Sequence, residues 1–386
     1  MFFVQKVNYK LKKPIGRIIS KKKSLLVIII LTFLILCLIF IYMAVFNKIE
    51  NQMVQLFAKQ IVKNCQNQTN WEHCYSSNLS DFNTYFPFQL SIKVLYEIQN
   101  SDHQTKKCQL IAREVGVSEA KKNPSRWLSI FQNIPISDEC LTGFLNGALE
   151  SKKRLDPQFQ INSNTANDIC NQIKVINKNN NMYPCGYALG QIILHQENYD
   201  LFKASRFCSS LHDGIKRYCL DGLFMEYILN TQLSSDNENH VIDDKEKYIK
   251  RIEGVCKTFK GEIGSSCWRG ISILYFRIAG PNLKKLEEYC ERGIINENVQ
   301  ACYFRVLSIS VMDKNFDKKQ LSSMCERFLN DLETYSLCYD WVITGIIYTD
   351  PKQFNLIDDI CSSAPDFFKN ECWVMRVDRI KMYSTF

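Results

Sequence analysis

The chain has 386 residues, 46% of them apolar and 23% charged, which excludes wholesale disorder and leaves room for two domains. Its 15 Gly and 9 Pro exclude a collagenous or linker-like chain. The 48 basic and 40 acidic residues give a net charge of +8, and that whole excess lies in the N-terminal tip. The neutral body has no electrostatic footprint for nucleic acid.

Residues 1–24 form the basic tip, with Lys6, Lys10, Lys12, Lys13, Arg17, Lys21, Lys22 and Lys23 and no acid before Glu50. Leu25 to Phe46 follows as 22 residues without a charge. At about 1.5 Å per residue it spans a hydrocarbon core of about 30 Å. Its length, and the lack of a small-residue cleavage site, predict a retained signal-anchor helix over 25–46 rather than a signal peptide. The cationic flank places the N-terminus in the cytoplasm and residues from 47 onward outside it. The location expected is a plasma or inner membrane, crossed once. Cys37, inside the run, needs no role beyond packing.

Residues 47–230 read as a membrane-proximal, Cys-rich helical domain. Its sequons, Asn67-Gln68-Thr69 and Asn78-Leu79-Ser80, would matter only in a eukaryotic secretory pathway. Thr231 to Lys247 is polar and acidic and predicts a loop or hinge. Residues 248–386 read as C-terminal helical-hairpin repeats.

Cysteine carries the repeat. Outside the apolar run, 16 remain, an even number that suits disulfides in an oxidising compartment. From residue 170 they form close couples: Cys170/Cys185, Cys208/Cys219, Cys256/Cys267, Cys290/Cys302, Cys325/Cys338 and Cys361/Cys372. The couples recur roughly every 35 residues, with one insertion, the period of stacked helix pairs. Leu283, Leu286, Tyr289 and Cys290, then Cys302, Val306, Leu307 and Ile309, keep the three-and-four spacing of a helical face. Each repeat is therefore expected to end one helix at its first cysteine, turn over about ten residues, and open the next helix at its second. The fold class expected is all-α: one transmembrane helix, then a disulfide-stapled, solenoid-like array of helical hairpins. Cys65, Cys74, Cys108 and Cys140 do not match the repeat spacing, so their pairing stays open.

Zinc sites place ligands two to four residues apart, whereas no two of these cysteines are closer than nine. No Cys-x-x-Cys redox pair, P-loop, dinucleotide fingerprint or Gly-x-Ser-x-Gly elbow occurs. Neither a metal nor a cofactor is implied. His73, His103, His195, His212 and His240 are scattered and read as surface residues. Trp71, Trp127, Trp268, Trp341 and Trp373 read as core or hairpin residues.

Four local signatures occupy residues 108–226: Cys108-Gln109-Leu-Ile-Ala112-Arg113-Glu-Val-Gly116, Cys140-Leu-Thr-Gly143-Phe-Leu-Asn146-Gly147-Ala-Leu-Glu150, Cys185-Gly-Tyr187-Ala-Leu-Gly190-Gln191 and Cys219-Leu-Asp-Gly222-Leu-Phe-Met-Glu226. The series resembles an uncharacterised, mostly bacterial family of membrane-anchored Cys-rich helical ectodomains. That family's pattern runs Cys-His-x-x-Ala-His-x-x-Gly, Cys-x-x-Gly-Cys-Tyr-His-Gly-x-x-Glu, Cys-x-His-Gly-x-Gly-His and Cys-x-x-Gly-Val-Phe-Met-Glu. The resemblance covers about residues 90–230 and implies no activity. Here Gln109, Arg113, Asn146, Tyr187 and Gln191 stand where the pattern has histidine, so its histidine chemistry is not expected. The cysteines, the glycines, Glu150 and Glu226 remain. The function expected is protein or peptide binding, or scaffolding, by a membrane-tethered extracytoplasmic repeat module. The alternative is an enzyme acting through carboxylates such as Glu150 and Glu226.

Overall fold

The computed structural model describes residues 45–102, 108–125, 127–128, 138–177, 182–233, 245–280, 282–311, 325–349 and 354–383. Among them the chain is all-helical, without a strand. No helix among the described residues is long and apolar enough to cross a membrane. The run Leu25 to Phe46 lies outside them except for its last two residues, as do Cys37, His103 and His240.

The helices are α1 (45–65), α2 (Trp71–Tyr85), α3 (Phe88–Ser101), α4 (Gln109–Lys122), α5 (Asp138–Leu155), α6 (Ser163–Asn177), α7 (Tyr183–Gln196) and α8 (Leu201–Ser209). They continue as α9 (Asp213–Leu233), α10 (Lys245–Cys256), α11 (Gly261–Ala279), α12 (Leu283–Cys290), α13 (Asn296–Ser310), α14 (Leu332–Thr349), α15 (Phe354–Ser363) and α16 (Lys369–Tyr383). Helices α2, α4, α5, α7, α9, α11, α13, α14 and α16 form an inner row, each packed on the next. Helices α6, α8, α10, α12 and α15 form an outer layer, each against the inner helix that follows it.

Sequence explains the two layers. Outer helix α12 buries only Leu283, Leu286, Tyr289 and Cys290, one narrow stripe. Inner helix α7 is buried continuously from Pro184 to Leu194. Short outer helices need help to start, and side-chain caps supply it. Asp200 accepts the Lys203 amide at 3.1 Å and Asn282 accepts the Lys285 amide at 3.1 Å.

Eight disulfides staple the array. Each couple from residue 170 onward closes within itself: Cys170–Cys185, Cys208–Cys219, Cys256–Cys267, Cys290–Cys302, Cys325–Cys338 and Cys361–Cys372. The hairpin geometry differs from the expected one in where the cysteines sit along their helices. Among first members, Cys256 and Cys290 do end their helices, and Cys208 and Cys361 come within two residues of it. Cys170 does not: it lies in the middle of α6, seven residues before its end.

The second members correct the expectation throughout, since none opens its helix. Cys185 and Cys219 follow the starts of α7 at Tyr183 and α9 at Asp213. Cys267 and Cys302 follow the starts of α11 at Gly261 and α13 at Asn296. Cys338 lies six residues into α14, which starts at Leu332, and Cys372 three residues into α16, which starts at Lys369. The turns in the two middle hairpins are therefore only 257–260 and 291–295, not about ten residues. A cysteine at a helix end meets its antiparallel partner's side and not its tip. The expected loop over 231–247 is also shorter at both ends, since α9 runs to Leu233 and α10 begins at Lys245; residues 234–244 lie outside the described ones.

The two open couples close in different ways. Cys65–Cys74 joins α1 to α2, as in the later hairpins. Cys108–Cys140 instead ties the N-terminal ends of two inner helices, α4 and α5, across a separation of 32 residues. Those helices run parallel and almost touch. A Cβ placed on Gly147 would lie 1.9 Å from the Arg113 carbonyl oxygen, and one on Gly143 2.2 Å from that of Gln109. Helices α7 and α9 repeat the contact through Gly190 and Gly222, each set against the other helix's backbone. The glycines of the four signatures are thus helix-contact residues.

Ion pairs tie successive repeats together. Buried Glu253 accepts the Tyr275 hydroxyl at 3.0 Å and Arg292 of the next repeat at 3.2 Å. Arg327 in turn pairs with Glu287 at 2.7 Å. Burial, above all, raises the hydroxyl pKa of Tyr187, Tyr275, Tyr303 and Tyr335. These groups keep their protons in the folded chain after the unfolded chain begins losing them near pH 10. Their contribution is complete below that pH and is lost as pH rises above it. Alkaline titration followed at 295 nm should therefore show these phenols ionising together with loss of helicity. Full ionisation with helicity intact would contradict this.

Candidate functional site

Three of the five residues at histidine positions of the resembled pattern, Gln109, Asn146 and Gln191, converge. Gln109 on α4 donates from Nε2 to Gln191 Oε1 on α7 at 3.2 Å. Asn146 on α5 donates to the same oxygen at 2.6 Å. Gln191 Nε2 then donates to Glu226 Oε2 on α9 at 3.2 Å. Four inner helices thus meet through one chain of hydrogen bonds, buried from Asn146 to Glu226 and part-buried at Gln109. Gln109 thus reaches past α5 to a helix that is not its neighbour in the row.

The chain continues to a partly open edge. His195 Nε2 lies 2.7 Å from Glu226 Oε1, and its side chain is 35% exposed. The Tyr199 hydroxyl lies 3.1 Å from His195 Nδ1. With Glu226 ionised, Nε2 donates to the carboxylate and Nδ1 accepts from Tyr199. The backbone is bent to allow this. Asn198 and Tyr199 have φ of 50° and 64°, and the Tyr199 amide closes back on the Leu194 carbonyl at 2.9 Å. Asn tolerates that left-handed region at a helix end; Tyr adopts it at a cost of about 1–3 kcal/mol. Burial, then Glu226, raises the pKa of the Tyr199 hydroxyl, and Arg113 opposes that.

Glu150 borders the same edge in a different state. Arg113 holds its Oε2 from Nε at 3.0 Å and Nη2 at 2.8 Å, and Arg154 holds its Oε1. Both carboxylate oxygens accept from an arginine, so Glu150 holds Arg113 in place at this edge. Tyr187, the remaining histidine-position residue with a bulky ring, is buried on α7 against Tyr183.

The arrangement is rich in acceptors. Gln191 Oε1 serves two donors, Glu226 adds a carboxylate, and Asn146 Oδ1 is buried without a donor among the described residues. Such a cluster can hold a hydrogen-bond donor or pass a proton between Glu226 and the His195 edge. Among the described residues no three of His, Cys, Asp and Glu are grouped to hold a metal ion.

His73 and His212 are exposed, whereas His195 belongs to the network. Reading all five histidines as scattered missed it, together with Tyr199. One signal was available: Gln191 and His195 stand four apart on α7, as do Gln109 and Arg113 on α4, and Asn146 and Glu150 on α5. Polar pairs at that spacing on otherwise buried helices mark a shared face. Comparison with known proteins adds nothing to this geometry: no family model, curated protein or solved structure matches the chain.

Proposed function

We propose that the chain is a membrane-tethered, extracytoplasmic helical-repeat module that binds a protein or peptide partner on its concave inner face. The observation that carries the reading is the reach of side chains between non-neighbouring inner helices, from Gln109 on α4 to Gln191 on α7. A curved row of parallel helices offers an extended surface of that kind. The basic tip and uncharged run support the tether, and eight disulfides suit an oxidising compartment.

A photo-reactive residue in place of Tyr218, on an inner helix, tests the reading in intact membranes against one in place of Lys284, on an outer helix. A discrete protein adduct from the inner position only, made with a reagent side facing away from the cytoplasm, is expected. Equal labelling from both positions, or protection of residues past 47 from protease added to intact cells, would overturn it. Turnover is the alternative reading, and it rests on Glu226 with His195 at 2.7 Å. Hydrolysis of a peptide or glycoside by the wild-type chain, lost in Glu226→Gln, would replace the binding reading.

A further inference from the structure

Tyr199, His195 and Glu226 form a relay whose order has a chemical consequence beyond the amide network. The Tyr199 hydroxyl stands 3.1 Å from His195 Nδ1, and His195 Nε2 stands 2.7 Å from Glu226 Oε1. The ionised carboxylate keeps the imidazole proton on Nε2, so Nδ1 turns its lone pair toward the phenol. A hydroxyl facing a nitrogen base that a carboxylate orients is the arrangement of an activated nucleophile. Other phenols of the fold differ. Tyr75, Tyr275 and Tyr303 are buried and donate to Asp102, Glu253 and Glu291, whose carboxylates are weaker bases than imidazole.

Two further observations separate Tyr199 from an ordinary helix-end residue. It is 43% exposed, so a solute can reach it, whereas Glu226 behind the imidazole is buried. Its backbone also holds a φ of 64°, directly after Asn198 at 50°, and its amide is pinned to the Leu194 carbonyl at 2.9 Å. Strain of this kind persists only where the surrounding structure imposes it, and it gathers at reactive sites. The bend sets the phenol ring edge to face against the His195 ring, with 5.1 Å between their centres, and so fixes where the oxygen lies.

We infer that Tyr199 is a nucleophile for acyl transfer from a thioester, with His195 as its general base and Glu226 as the residue that positions the imidazole. The Tyr199 oxygen bonds to the acyl carbon while its proton passes to His195 Nδ1. The carbon–sulfur bond then breaks, and the thiolate leaves with that proton. Water next attacks the acyl carbon, its proton passing through the same nitrogen to the departing Tyr199 oxygen, and the free acid is released. No electrons enter or leave. Leaving-group chemistry selects the substrate class. A thiol loses its proton at about pH 8.5 and a phenol at about pH 10, so the thiolate departs in preference to the phenoxide. An alkyl ester or a peptide has a poorer leaving group than the phenoxide and would collapse back to starting material. Burial and Glu226 keep the resting phenol protonated, so its proton leaves only as the new bond forms. The inference stands apart from the binding reading, because acylation needs no protein partner.

Acid-quenched peptide mass spectrometry on the full chain in nanodiscs tests it. The probe is the acetyl thioester of N-acetylcysteamine, and Tyr85, 83% exposed on α2, is the internal standard. Tyr199 should be acetylated at least about 100-fold faster than Tyr85, the lower end of what a positioned general base contributes. Where the acyl group turns over too fast to accumulate, thiol should still be released at a rate that Tyr199→Phe removes. His195→Gln should bring Tyr199 acetylation down to the Tyr85 rate. Nitrogen NMR of histidine-labelled protein reads the positioning role of Glu226: His195 Nδ1 should lack a proton in the wild-type chain and gain one in Glu226→Gln. Equal acetylation of the two tyrosines with no Tyr199-dependent thiol release, or a protonated Nδ1 in the wild-type chain, would overturn the inference. If the variants fail to fold, the two tyrosines of the wild-type chain decide alone. A Tyr218 adduct without reaction at Tyr199 removes this inference and leaves the binding reading; reaction at Tyr199 without an adduct does the reverse.

Discussion

Gly190→Ala is expected to destabilise the protein by about 3 kcal/mol or more, the upper end of what overpacking costs. The added methyl would stand 1.9 Å from the Cys219 carbonyl oxygen and 2.6 Å from the Leu223 amide nitrogen. Those are backbone atoms in the middle of α9, so no side chain can swing away. Helices α7 and α9 must separate, and that strains the Cys208–Cys219 and Cys170–Cys185 hairpins and stretches the hydrogen bond from Gln191 to Glu226. Gly254→Ala is the control. A Cβ there meets nothing within 4 Å, and its place inside α10 should yield about 0.5–1 kcal/mol of added stability from helix propensity. Urea unfolding of both variants under non-reducing conditions checks the pair. Equal effects of the two substitutions would mean that α7 and α9 do not approach through their glycines.

Cys302→Ser is expected to cost about 2–4 kcal/mol and to leave Cys290 as the single new free thiol. The reason is chain entropy: the bridge spans 12 residues and joins the end of α12 to the side of α13. Without it, α12 keeps only Leu283, Leu286 and Tyr289 to hold it down. An eight-residue helix with so narrow an apolar stripe is marginal alone. Because α12 also presents Glu287 to Arg327 of the next repeat, the loss should spread toward the C-terminus. Thiol titration and non-reducing peptide mapping read the first claim, and thermal unfolding reads the second. Linkages crossing between couples, or a fully reduced native chain, would contradict the stapled-hairpin fold.

The sequence alone determined what is local. Six cysteine couples at a period of roughly 35 residues identified the hairpins and their partners, because a turn of a few residues leaves each cysteine little choice of neighbour. Helical spacing such as Leu283, Leu286 and Tyr289 identified the buried stripes for the same reason. The basic tip and the uncharged run define the tether expectation, and they do so from composition. Local reading placed Cys267, Cys302, Cys338 and Cys372 at helix starts, where spacing cannot tell a long turn from a short one; all four lie inside their helices.

Tertiary structure decided everything that depends on how one helix lies against another. The Cys108–Cys140 bridge joins two inner helices because α4 and α5 run parallel, which no turn dictates. Gln109, Asn146, Gln191 and Glu226 look like unrelated polar residues until helix packing, through glycines within the α4–α5 and α7–α9 pairs, brings them into one hydrogen-bonded chain. His195 looks like a surface residue until Glu226, 31 positions later, arrives beside it. Arg217 on α9 and Trp341 on α14 are farther apart still, and only the packing of the helices brings the guanidinium to 5.2 Å from the ring centre. The physical reason is the same in each case. Short-range order follows from propensity, spacing and loop closure, while the meeting of distant polar groups is set by interhelical register, which many weak packing contacts fix collectively.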